Sequence, residues 1–109
     1  LLAPQEGPSS GRWLFQQALQ GAAQALGVGH GLQAGAPADV VELDPQHPAL
    51  IARDGDAWLD SWVFAARNGA VRSVWRGGRQ WVRQGRHLHR DAVAARFATA
   101  LRGVLHAAR

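Results

Sequence analysis

The sequence predicts an α/β chain, with two long helices bracketing a strand, a short helix and a β-hairpin. Three observations carry this. Apolar residues recur at helical spacing near residues 11–26 and again over 91–107. Between them the period falls to two, in Val40-Val41-Glu42-Leu43 and in the stretch from Val71 to Arg83. Gly77-Gly78 divides that stretch into two arms, as a two-residue hairpin loop does.

Leu1 to Gly11 reads as an irregular linker rich in Pro, Gly and Ser. Ser9 or Ser10 can cap the first helix, whose stripe is Phe15, Ala18, Leu19, Ala22 and Leu26. Gly27 supplies a left-handed residue after it. Gly35 and Pro37 lead into a strand at 38–44, and Asp44-Pro45 closes it because proline cannot donate to a ladder. A polar loop follows from Pro45 to Gly55. Trp58, Leu59, Trp62, Val63 and Ala66 then fall at helical spacing, with Asp56 placed to suit the helix dipole, so 56–66 is a helix. Asn68-Gly69 is a turn, 70–83 the hairpin, and Gly85 breaks its second arm. The last helix carries Val93, Phe97, Ala100, Leu101, Val104 and Leu105 on one side. Three strands cannot close a sandwich, and an open edge rich in Val and Trp would be exposed, so strands from elsewhere are expected.

A length of 109 residues is one small domain with a modest core. The absence of cysteine excludes disulfides and thiolate metal sites. No run of about 18 apolar residues could cross a membrane. Leu1-Leu2-Ala3 has no basic flank and meets Pro4 at once, unlike a signal peptide. The expectation is a soluble, cytoplasmic protein with no membrane partner. A chain with no methionine that opens on LLAPQEGPSSG reads as the tail of a longer polypeptide. All 12 basic residues are arginine, which reflects coding bias. They are scattered instead of clustered, which argues against nucleic acid as a partner despite the net charge of +4.

Three blocks resemble a known family. Gly31 to Asp44, GLQAGAPADVVELD, is similar to the strand signature near the end of metal-dependent amidohydrolases. The hairpin from Val71 to Arg86 resembles the V-x-x-V-x-x-x-G-x-x-V-x-x-G hairpin that follows it there. Between them, Gly55-Asp56-Ala57-Trp58-Leu59-Asp60-Ser61-Trp62-Val63-Phe64-Ala65, with Gly85-Arg86-His87 beyond, looks like the formimidoylglutamate deiminase family. Gly11 to Gly27 also resembles that family's last barrel helix. Trp58 replaces a leucine, Arg76 an apolar residue and Gln84 an aspartate. The resemblance implies the C-terminal part of an amidohydrolase. Residues 1–30 would be linker and last helix of a (β/α)8 barrel, 31–88 a segment of the small β-sandwich, and 89–109 a C-terminal helix. It implies hydrolysis of N-formimino-L-glutamate to N-formyl-L-glutamate and ammonia, in histidine degradation. It also implies one divalent metal, zinc, held by an H-x-H pair, another His and an Asp at the barrel mouth, where it activates water. Those ligands would lie upstream of Leu1, so this chain is expected to hold no catalytic, cofactor-binding or metal residue. The expected partners are the rest of the parent chain and a second copy in a homodimer. The C-terminal segment of another deaminase or amidohydrolase of the superfamily, such as one acting on a purine or pterin, and a small Arg/Trp-rich nucleic-acid module are the competing readings.

Several residues invite other readings. His87-Leu88-His89 could grip a metal from a strand, but no third and fourth ligand stand nearby, and surface histidines are expected. Asp54, Asp56 and Asp60 lack a nucleophile or base beside them and are expected as helix-start charge on a solvated face. Asp39 is expected to bond turn amides. The five tryptophans, Trp13, Trp58, Trp62, Trp75 and Trp81, suit packing better than base stacking. Gly27 to Gly31, GVGHG, follows a helix and has no Lys, so it is no phosphate loop.

Overall fold

The structure is a computed structural model that describes residues 7–109. Most of the linker expected at 1–11 therefore lies outside the described residues. Three helices and four strands follow in the order α1 (Ser10–Leu26), β1 (Val40–Leu43), α2 (Asp56–Phe64), β2 (Val71–Arg76), β3 (Arg79–Arg83), β4 (Arg86–His87) and α3 (Arg90–Ala107). The strands form one antiparallel meander in sequence order.

Ser9 is extended, and its hydroxyl accepts the Arg12 N–H at 3.2 Å, which satisfies a free donor of the first turn of α1. At the other end Gly27 is left-handed, at φ 67°. Its N–H bonds Gln24 and that of Val28 bonds Ala23, the paired closure of a Schellman motif. The covered face differs from the expected stripe. Gly11 and Ala23 are buried and Phe15 and Leu19 half-buried, a strict i, i+4 row, while Ala18, Ala22 and Leu26 are exposed. The cause is α2, which crosses near the start of α1. There Phe15 meets Trp62 with ring centroids 5.6 Å apart.

β1 is shorter than expected, but its flanks still bond the hairpin: Gly78 donates to Ala38, and Asp44 donates to Ala70. The hairpin turns at Gly77-Gly78 as expected. Both have positive φ, 57° and 79°, the combination that matches strand twist. The pairing of β2 with β3 shifts by one residue beyond Trp75–Gln80, so Trp81 is an extra residue in the ladder. The helix expected at 56–66 is present and ends at Phe64.

Two elements were not expected. β4 pairs with β3 through Val82–His87 and Arg83–Arg86, making a fourth strand where three were expected. The intervening turn uses positive φ at Gln84, 50°, and Gly85, 74°. Gln84 thus holds a conformation that Asp, Asn and Gly adopt more readily. The polar loop 45–55 is also an ordered series of turns. Leu50 within it is the largest fully buried side chain among the described residues. His47 fixes the loop, since its Nδ1 accepts the Ala49 N–H at 3.1 Å and its Nε2 faces the Asn68 carbonyl at 3.0 Å. Because Nδ1 accepts, Nε2 carries the proton and donates.

The other buried apolar residues among those described are Ala23 and Ala70, so the core they form is very small. The radius of gyration is 18.2 Å, against about 13 Å for a compact domain of this size. The extents are 61 × 34 × 26 Å. Among the described residues α3 has no buried residue and makes no extensive contact with another helix or strand.

Candidate functional site

The densest polar constellation joins α1 to α2. Asp56 and Asp60 lie one turn apart on α2 and reach the N-terminus of α1. Asp60 Oδ1 accepts the Gly11 N–H at 2.7 Å, and Asp56 Oδ2 accepts the Ser9 N–H at 2.9 Å. Arg12 Nε donates to Asp56 Oδ1. Two carboxylates from another helix thus satisfy amides that a helix start leaves free, and their charge suits its positive end. The expected solvated face for these two acids is corrected: they are a cap in trans. Gly11 is the reason they can approach. A Cβ there would lie 2.5 Å from Asp60 Oδ1 and 2.6 Å from Asp60 Cα. The signal in the sequence was a glycine in the first turn of a helix together with two acids at i, i+4.

The hydrogen bond from the Ser9 amide, and then Arg12, hold the Asp56 carboxyl below its ordinary value of 3.8. A depressed value in the folded state means that its stabilisation is complete above the unfolded carboxylate's range and is lost as pH falls through the folded value. The α1–α2 contact is therefore expected to loosen only below about pH 4. Asp56→Asn should remove that acid limb. Tryptophan fluorescence followed against pH checks this, and an unchanged limb in the variant would contradict it.

Of the other singled-out residues, Trp62 shares the α1–α2 contact through Phe15. Asp39 Oδ1 accepts the Gly77 N–H at 2.8 Å, the turn-amide role expected of it. Trp58 donates to the Arg53 carbonyl, Trp62 meets Phe15, and Trp81 packs between Arg79, 4.2 Å above its ring, and His87, 5.9 Å between centroids. Val28 to Gly31 line a hollow of about 210 Å3 beside Leu19, Ala22 and Leu26.

His87 and His89 are exposed, with ring centroids 5.6 Å apart. His87 Nδ1 accepts the His89 backbone N–H at 3.0 Å, so one of its ring nitrogens is already engaged. Among the described residues no group of three or more His, Cys, Asp or Glu could hold a metal ion. The residues present do not fit the divalent metal that the resemblance implies. No helix among them is long and apolar enough to cross a membrane.

No protein-family model matches the chain. Over 95 residues it is 43% identical to formimidoylglutamate deiminase of Pseudomonas aeruginosa, covering 86% of this chain and 21% of that protein. A crystal structure of an amidohydrolase from Brucella melitensis superposes with a TM-score of 0.78 at 41% identity, covering 95% of this chain and 22% of that one. By sequence and fold the chain is a segment of amidohydrolase type. It spans about a fifth of the length of these relatives.

Proposed function

We infer that the chain is the C-terminal segment of a formimidoylglutamate deiminase, a hydrolase that converts N-formimino-L-glutamate to N-formyl-L-glutamate and ammonia in histidine degradation. The 43% identity across 86% of the chain carries this reading. Residues 1–30 contain the last barrel helix, α1. Residues 31–88 are the sandwich segment, and 89–109 the closing helix α3. The divalent metal, zinc, belongs to the remainder of the parent, which is a cytoplasmic homodimer. The segment contributes structure: the clamp fixes α2 and the sheet to α1, and through α1 to the barrel.

Assays of ammonia release test this at two levels. The isolated 109-residue chain should give no turnover of N-formimino-L-glutamate with zinc or any other divalent ion. The full-length protein should release ammonia from it. Preference of the full-length protein for a purine or pterin would redirect the reading to another deaminase. Turnover by the isolated chain would end the segment reading.

A further inference from the structure

Large apolar side chains stand in solvent on all three helices and on β1. Leu26 of α1, Val41 of β1, Phe64 of α2, and Val93, Phe97 and Val104 of α3 are each more than half exposed. They are spread along a molecule 61 Å long. A contact with a second copy covers one patch, ordinarily about 800 Å2 on each partner, and would leave most of these elements bare. Only a larger body can cover them together.

α3 makes the point most sharply. Its base is tied to the sheet by the exposed Arg86–Asp91 pair at 3.0 Å, the His89 N–H on His87, and the His89 ring against Trp81, 6.0 Å between centroids. Among the described residues no other helix or strand packs extensively along its length. Yet the Brucella amidohydrolase superposes over all but 5% of this chain, far less than the 18 residues of α3. The match therefore takes in most of α3, and it lies within a polypeptide several times as long. Arg90 and Arg96 border its apolar side beside Val93 and Phe97, so its cover is apolar along the middle and meets charge at the margin.

We propose that Val93, Phe97, Leu101 and Val104 form an intramolecular docking face, covered by the remaining part of the longer amidohydrolase polypeptide and not by a second copy. The proposal rests on the segment reading for the existence of that remainder, and adds which face it covers. Thermal unfolding, light scattering and ammonia release on the full-length protein test it, with Phe97→Asp, the milder Phe97→Leu, and Thr99→Asp on the opposite side as control. Phe97→Asp should lower the apparent Tm by roughly 5 °C or more, or remove the protein from the soluble fraction. Phe97→Leu should stay folded with a smaller shift, and Thr99→Asp should match the wild type. An unchanged Tm in Phe97→Asp overturns the proposal. So does a halved particle mass at unchanged Tm, which would make the face a contact between copies, and so does a gene that encodes nothing beyond these residues. Sensitivity at Phe97 with no ammonia release would uphold the docking face and sink the substrate assignment.

Discussion

Gly11→Ala is expected to destabilise the fold by roughly 3 kcal/mol, although alanine is the better helix former by about 1 kcal/mol. The new Cβ would meet Asp60 Oδ1, Cα and N at 2.5, 2.6 and 2.7 Å. Two of those atoms are backbone, so no rotamer change relieves the overlap. α2 must move away, and the Gly11–Asp60 and Arg12–Asp56 bonds stretch with it. Gly21→Ala is the matched control. It sits in the same helix with nothing within 4 Å of its Cβ, so it should gain roughly 0.5–1 kcal/mol from propensity alone. Urea unfolding of the two variants side by side measures the difference. Equal effects would mean that the α1–α2 approach is looser than described.

Leu50→Ala should cost about 3 kcal/mol, and here that is a large part of the whole. Leu50 is fully buried, while the other two buried apolar residues are alanines. With so little core, the loop 45–55 has no second anchor of that size. The variant should lose the cooperative part of its thermal transition while keeping much of its helical circular dichroism. A transition as sharp as the wild type's would show that the loop repacks around the cavity.

Much of this architecture was legible because it is local. Ser9 and Gly27 bound α1, and Gly77-Gly78 sets the hairpin, through chemistry that acts within a few residues. What the pattern missed is long-range or non-periodic. Leu50 sits in a polar stretch with no period to betray it. The role of Asp56 and Asp60 depends on Gly11, more than forty positions away, and one chain's spacing cannot pair them. β4 is two residues long, below the length at which alternation can be read. The covered row of α1 runs through Gly11 and Ala23, which hydropathy ranks below Leu26.

The isolation of α3 has a consequence for how the chain moves. A helix with no tertiary packing is stabilised only by its own hydrogen bonds and termini, and such helices are marginal near this length. Its amides should therefore open in local steps, uncoupled from the sheet, and exchange with solvent faster than those of α1. In the isolated chain α3 is a separate cooperative unit, and it joins the global unfolding transition only when something lies along its length.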